Sequence, residues 1–318
     1  MFSKKTSGHH ALITLIILSV IISGCSPQAG TKEYKYVDRE SKIPSTAVKI
    51  TAATDKYPPK LNSTAYQQPV ALEYPVNTAG YEDSPFISGS NLYFFFTPAK
   101  DLPEYQVRDE VSGIYTTENQ QGKWSVPERV HLQDPGKLAL DGCAFIQDQT
   151  MWFCSSREGY QDINWFTAEL VDGKWQNWQK LNFPSEYHVG ELHIFNNMLY
   201  FHAGTSGEID GTDNWASENI DGSWSQPVKV SAVNTEYDER QPFLSSDGKQ
   251  LWFTGTYLGT PAVYKSEFVN GTWQKPELTV SQFAGEPALD KTGNLYFVHS
   301  FYDGANFLES DIYVAYKK

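Results

Sequence analysis

The sequence predicts an all-β protein, and three observations carry the prediction. A Gly-x-Trp triplet recurs at Gly122-Lys123-Trp124, Gly173-Lys174-Trp175, Gly222-Ser223-Trp224 and Gly271-Thr272-Trp273, with the tryptophans 51, 49 and 49 residues apart. A second triplet recurs alongside it: Leu92-Tyr93-Phe94, Met151-Trp152-Phe153, Leu199-Tyr200-Phe201, Leu251-Trp252-Phe253 and Leu295-Tyr296-Phe297. Both lie in short apolar runs bounded by Gly, Asn, Asp and Ser, which read as strands and not helices. A period of about fifty residues holding four short strands is what one blade of a β-propeller needs. The expected architecture is a five-bladed β-propeller of four-stranded blades over residues 65–318.

The N-terminus reads as an address. Lys4 and Lys5 precede an apolar run from Ala11 to Ile22, too short to span a bilayer comfortably. The run ends in Ile22-Ser23-Gly24-Cys25, which resembles a bacterial lipoprotein lipobox. The resemblance implies that residues 1–24 are a signal peptide and that Cys25 is lipidated, anchoring the chain in a membrane. Ser26, with no Asp after the cysteine, implies the outer membrane, facing the periplasm or the cell surface. Residues 25–64 are polar, carry Pro27, Pro44, Pro58 and Pro59, and read as a tether.

Five aromatic triplets face only four Gly-x-Trp strands, and the missing one is expected at the front. Tyr66-Gln67-Gln68-Pro69-Val70 followed by Pro75-Val76-Asn77-Thr78 parallels Trp224-Ser225-Gln226-Pro227-Val228 followed by Ala232-Val233-Asn234-Thr235. An N-terminal strand near residues 66–76 should therefore complete the last blade and remove an exposed sheet edge. One large aromatic per repeat at fixed register reads as packing between blades.

Within the fourth repeat, Tyr237-Asp238-Glu239-Arg240-Gln241-Pro242-Phe243-Leu244-Ser245-Ser246-Asp247-Gly248-Lys249-Gln250-Leu251-Trp252-Phe253 resembles the WD40-like repeat of TolB-type propellers. Asp162-Ile163-Asn164-Trp165 and Asp311-Ile312-Tyr313-Val314 resemble its third strand. That resemblance implies a fold; propellers of this kind bind proteins, bind glycans or carry enzyme sites.

In the second repeat, a two-residue turn at Asp148-Gln149 sets Gln147 opposite Thr150 and, stepping outward, Cys143 opposite Cys154. Facing Cβ atoms on paired strands lie within adjustment of disulfide distance. Export supplies an oxidising compartment. A cross-strand disulfide is expected, with two adjacent buried thiols as the alternative.

The chain of 318 residues has 25 Lys+Arg against 38 Asp+Glu, a formal charge of −13, and 14% aromatic residues. That aromatic content excludes a disordered chain, and the acidity argues against nucleic acid. No nucleophile elbow, phosphate loop or His-Glu-x-x-His helix is present, and no cofactor is implied. His188 and His193 flank Glu191, but sequence leaves a metal site undetermined.

Acidic residues gather at the start of each predicted innermost strand: Glu82 and Asp83, Asp141, Glu191, Asp238 and Glu239, and Glu286. Tyr81, Tyr187, His188 and Tyr237 stand beside them. In a propeller these starts ring one mouth of the central channel. The layout is similar to five-bladed glycoside hydrolases of the arabinanase and levansucrase type. The resemblance implies a catalytic set of Glu191 as proton donor with Asp141 and Glu239, and a ligand-binding rim of Tyr81, Glu82, Asp83, Tyr187, His188, Tyr237, Asp238 and Glu286. Two functions are thus expected to compete. One is an envelope lipoprotein that binds a protein or glycan through its loop-rich face. The other is a carbohydrate-active enzyme.

Overall fold

The computed structural model describes residues 38–100, 111–183, 187–205 and 211–318. The expected signal peptide, residues 1–24, and Cys25 lie outside them. Apart from one 3-10 turn, Glu40–Lys42, the described elements are all strands, in four hydrogen-bonded sheets of four, five, six and nine strands. The nine-stranded sheet is two antiparallel meanders joined by one parallel pair, Ser310 with Tyr81. The chain therefore runs through five meanders in order.

The meanders begin with the inner strands Tyr81–Ser88, Ala139–Gln147, Tyr187–Phe195, Arg240–Leu244 and Ala284–Leu289. Each inner strand touches the next, and the fifth touches the first, so the five close a ring. The second strands carry the aromatic triplets. Their third residues, Phe94, Phe153, Phe201, Phe253 and Phe297, are all fully buried and dominate the core.

The outer strands show why one repeat differs from the others. In the second meander the outer strand is continuous, Lys174–Lys180. In the first, third and fourth it is split after the tryptophan, into Lys123–Trp124 and Glu128–Arg129, Ser223–Trp224 and Val228–Lys229, and Thr272–Trp273 and Glu277–Ser281. Those three carry Pro127, Pro227 and Pro276. Proline has no N–H to give the ladder and interrupts it. The tryptophans pack across meanders: Trp175 on Tyr93, Trp224 on Trp152 and Trp273 on Tyr200, with ring centroids 6.4, 6.5 and 6.0 Å apart.

The chain ends meet in the fifth meander. Val70–Ala71 pairs antiparallel with Asn306–Ala315, through Val70 with Val314 and Ala71 with Tyr313, and Tyr66 bridges Lys317. Asn77 ties this junction, giving and accepting hydrogen bonds at the Ile312 backbone, 2.9 and 3.0 Å. Asn234 makes the same clasp on Asn214 in the third meander, as the sequence parallel requires.

Residues 38–64 correct the tether expectation, because they pack on the strands. Arg39 sits over Phe94, Phe96 and Tyr115 and meets Glu82 at 3.4 Å. Lys49 reaches Glu309 at 3.0 Å, Asp55 reaches His299 at 3.0 Å, and Lys60–Leu61 extends the fourth meander by pairing with Glu277–Ser281. The polar composition that suggests a solvated linker supplies partners for buried groups on the domain instead.

Cys143 and Cys154 form a disulfide with Cα atoms 5.4 Å apart. The turn pairs Gln147 with Thr150 as expected, but a bulge then sets Gly142, not Cys143, opposite Cys154. Cross-linking positions 11 residues apart restricts the unfolded chain. Cys143→Ala/Cys154→Ala is expected to lose about 2–3 kcal/mol. Denaturant titrations of the oxidised wild type and the double variant check this, and equal midpoints would reject it.

Candidate active site

Every inner strand carries a bulge at the same height. The pairing register slips between Asp83 and Phe86, Gly142 and Phe145, Val189 and Leu192, Arg240 and Phe243, and Gly285 and Ala288. At four slips a non-glycine residue adopts a left-handed backbone: Ser84, Cys143, Gln241 and Glu286, with φ of 51°, 55°, 55° and 54°. Each such residue costs on the order of 1–3 kcal/mol, and strain of this kind clusters at functional sites. A bulge takes one residue out of the in–out alternation and re-aims side chains. Here five bulges surround one cavity of about 40 Å³, lined by Ser84, Cys143, Glu191, Gln241 and Glu286 among others. That volume holds a water molecule or two.

An aromatic cluster closes the cavity on one side. Phe86, Phe145, His193 and Phe243 lie 4.5 to 6.4 Å apart, centre to centre. His193 accepts the Leu244 N–H at 3.3 Å, and burial pushes its pKa down to about 3, so it is neutral.

Two carboxyl groups, of Glu191 and Glu286, line the cavity, and a third, of Asp83, lies within electrostatic reach of both. Glu286 accepts the Gln241 side-chain amide at 3.0 Å and the Ser84 backbone N–H. The other end of the Ser84 residue, its hydroxyl, reaches Glu191 Oε1 at 3.4 Å. Glu191 Oε2 lies 3.1 Å from His202 Nδ1. Burial, then the charge of Glu191, pushes Asp83 up to about 7. Burial, then the charges of Asp83 and Glu191, holds Glu286 well above the usual carboxylate range. His202 is held below the ordinary imidazole value by burial, against the pull of Glu191.

The expected trio of Asp141, Glu191 and Glu239 is not brought together. Asp141 is fully buried, bound to Arg157 at 2.6 Å and Ser155 at 2.6 Å. Glu239 is buried and accepts both the hydroxyl and the N–H of Thr235, 2.6 and 2.8 Å. Glu82, expected on the ligand-binding rim, is buried against Thr78 in the same geometry, 2.6 and 3.1 Å. All three stand two residues before a slip, where Glu82 and Glu239 anchor the preceding loops and Asp141 pairs with the neighbouring strand Thr150–Arg157.

Of the other rim residues, Tyr187 is also buried; its hydroxyl accepts the Gln226 amide at 3.0 Å, and its ring packs on Trp215. Asp238 binds the Thr212 N–H at 2.8 Å and Arg240. His188 is exposed, and Tyr237 is 57% exposed on a separate groove of about 760 Å³. Tyr81 is half-buried and donates to the Leu308 carbonyl at 2.6 Å. Asp83, Glu191 and Glu286 are the candidates that meet.

Ser84, His202 and Gln241 are not among the site residues expected from the sequence. A signal for three of the slips was available: Pro85, Pro242 and Pro287 interrupt three inner strands. Proline inside a paired strand marks a bulge. Among the described residues, no group of three or more His, Cys, Asp or Glu side chains is arranged to hold a metal ion.

The raised carboxyls give a pH dependence of fixed sign. Asp83 titrates near 4 in the unfolded chain and near 7 when folded, so the native state holds its proton more tightly. This stabilisation is complete below the unfolded pKa and is lost as pH rises through about 7. Thermal unfolding is expected at lower temperature at pH ~8 than at pH ~5, and Asp83→Asn is expected to flatten the slope. An unchanged slope in the variant would assign the effect elsewhere.

No family model and no curated protein matches the chain. Among solved structures it is similar to a protein of unknown function from Dyadobacter fermentans, with a TM-score of 0.46 and 10% identity over 82% of this chain and 100% of that one. It is also similar to GH43B of the Bacteroides ovatus xyloglucan PUL, with a TM-score of 0.47 and 12% identity over 78% of this chain and 54% of that one. A third is the catalytic domain of a GH62 α-L-arabinofuranosidase from Coprinopsis cinerea, with a TM-score of 0.46 and 9% identity over 80% and 96%.

Proposed function

We propose that this chain is a carbohydrate-active enzyme of glycoside hydrolase type, built on a five-bladed β-propeller of four-stranded blades. The observation that carries the reading is that Glu191 and Glu286 line one cavity and that Asp83 stands close enough to feel the charge of Glu191 and to raise Glu286. Glycosidic bond cleavage needs two carboxyls in different protonation states at the same time. Glu191 is the proton donor. Asp83, at about 7, is matched to accept a proton near neutral pH. Glu286, fixed by Gln241 and Ser84, completes the carboxyl set beside the other two.

Across the junction of the fifth and first meanders, Phe283 stacks on Tyr302 at 4.4 Å, Tyr302 meets Phe307 at 5.5 Å, and Phe307 meets Tyr81 at 5.3 Å. All four rings are half-buried and offer apolar faces to sugar rings. The test is a screen of purified protein on plant and microbial oligosaccharides, reading new reducing ends. Release by the wild type with loss in Glu191→Gln is expected. No release from any substrate, or equal release by the variant, removes the reading.

The 760 Å³ groove with its exposed Tyr237 favours a second reading, a glycan- or protein-binding face. Affinity electrophoresis in polysaccharide gels should show retardation that Tyr237→Ala abolishes; equal mobility with and without polysaccharide would reject it. The anchor is proposed on the lipobox: Cys25 carries the lipid, and the domain belongs to the outer membrane. Cys25→Ala should move the protein from the membrane to the soluble fraction. The TolB-type kinship is proposed on the fourth-repeat residues alone.

A further inference from the structure

We propose that the segment of residues 38–64 contributes Tyr57 as the end ring of an aromatic platform that binds a single, uncharged oligosaccharide chain; this rests on the reading of the protein as carbohydrate-active. Tyr57 lies 5.6 Å from Phe283, centre to centre, and so adds one ring to the row of Phe283, Tyr302, Phe307 and Tyr81. Tyr57 is half-buried like the other rings, partly held by the domain and partly open. The row thus joins the N-terminal segment to the fifth and first meanders.

Tyr57 is fixed on both sides. It precedes Pro58 and Pro59, and a residue before proline is confined to extended backbone. Upstream, Asp55 accepts the Tyr57 N–H at 2.8 Å, and its other oxygen meets the fully buried His299 at 3.0 Å. Downstream, Lys60 and Leu61 pair with Ser281 and Val280. The neighbouring ring is fixed as well. Gln282 and Phe283 are consecutive residues with left-handed backbone, φ 67° and 55°, and the Phe283 carbonyl accepts the Ser300 N–H at 2.9 Å. Strain of this kind persists where the surroundings hold a side chain in a set direction. Rings that are already ordered lose little freedom when a ligand covers them.

Shape, charge and position select the occupant. Successive rings are tilted by 56°, 27°, 45° and 54°. A row that turns from ring to ring offers no flat surface to a planar ligand or a crystalline polymer. It suits one flexible chain whose sugar units each lay a C–H face on an aromatic ring. The exposed charges on the same segments, Lys56 and Asp303, pair with each other at 2.7 Å. The formal charge of −13 opposes a polyuronate, and a neutral glycan meets no such opposition. Phe283 stands three residues before Glu286, and Tyr81 two before Asp83. At about 3.3 Å per residue these rings lie roughly 7–10 Å along the chain from the acids. A glycan with one unit at the acids therefore has its further units over the row.

The test measures binding without turnover, on the full chain carrying Glu191→Gln. Isothermal titration uses xylohexaose, cellohexaose and arabinohexaose as neutral probes and hexagalacturonate as the charged comparison. At least one neutral probe should bind, and hexagalacturonate should not. Tyr57→Ala should weaken the binding about three- to tenfold, the range for one lost aromatic contact. Tyr57→Phe, which keeps the ring, and Lys56→Ala, which alters the same segment off the row, should both bind as before. Should Tyr57→Ala fail to fold, Tyr57→Leu, which keeps apolar bulk on Phe283 without an aromatic face, is expected to show the same loss.

No binding of any neutral probe, tighter binding of hexagalacturonate, or unchanged affinity in Tyr57→Ala overturns the proposal. An equal loss in Lys56→Ala overturns it too, because the segment and not the ring would then be responsible. Loss in Tyr237→Ala alone puts the ligand in the other groove, with the same consequence. Cleavage of an oligosaccharide by the wild type with unchanged binding in Tyr57→Ala defeats the platform alone. Weakened binding in Tyr57→Ala with no cleavage of any sugar by the wild type defeats the enzyme reading and leaves the platform standing.

Discussion

Glu191→Gln is expected to lower kcat about a hundred- to ten-thousand-fold on whatever oligosaccharide the wild type cleaves, the usual range for loss of a positioned general acid. Its KM should stay near wild type. The amide keeps the size of the carboxyl and an acceptor toward the Ser84 hydroxyl, so the fold should not suffer. Removing one member of the mutually repelling set Asp83, Glu191 and Glu286 should raise stability slightly at neutral pH. Full activity with natural or activated substrates would strip Glu191 of its role. A variant that melts far below wild type would make it structural.

Arg157→Ala is expected to cost about 3–5 kcal/mol, the typical loss when one member of a buried ion pair is removed. The guanidinium stands 4.2 Å above Trp178 and 4.6 Å above Phe166, donates to Asp141 at 2.6 Å, and reaches the Ser155 hydroxyl at 3.0 Å. Truncation leaves the fully buried Asp141 carboxylate without its counter-charge, and among the described residues its second oxygen has no hydrogen-bond partner. The double variant Asp141→Leu/Arg157→Met should recover most of the loss, because well-packed apolar groups replace a desolvated pair at little net cost. Urea titrations of the wild type, the single variant and the double variant decide it. A single-variant loss under about 1 kcal/mol would show that the pair is not holding the second meander.

These two variants separate carboxylates that look alike in sequence. Glu82, Asp141 and Glu239 recur two residues before their slips and are engaged by Thr78 and Arg39, by Arg157, and by Thr235. Asp83, Glu191 and Glu286 stand one before, one after and at the slip, with no common register. Acids that follow the repeat serve the repeat. Those that break it stand together, Glu191 and Glu286 lining the cavity and Asp83 within reach of their charge.

From composition and spacing alone came the all-β class, the repeat, the return of the chain near Pro69 to the last meander, and the packing role of the Gly-x-Trp residues. The covalent partner of Cys143 was legible too. All of these depend on local periodicity and hydrogen-bonding capacity, which neighbouring residues determine. Which acids converge, and that His202 and Gln241 stand among them, depended on bulges that shift the strand alternation by one residue. A one-residue slip reverses which face a side chain occupies, and its effect appears only when five strands are set at one height around a ring. The docking of residues 38–64 was equally hidden, because polar residues solvated in a linker and polar residues paired to buried charges have the same composition.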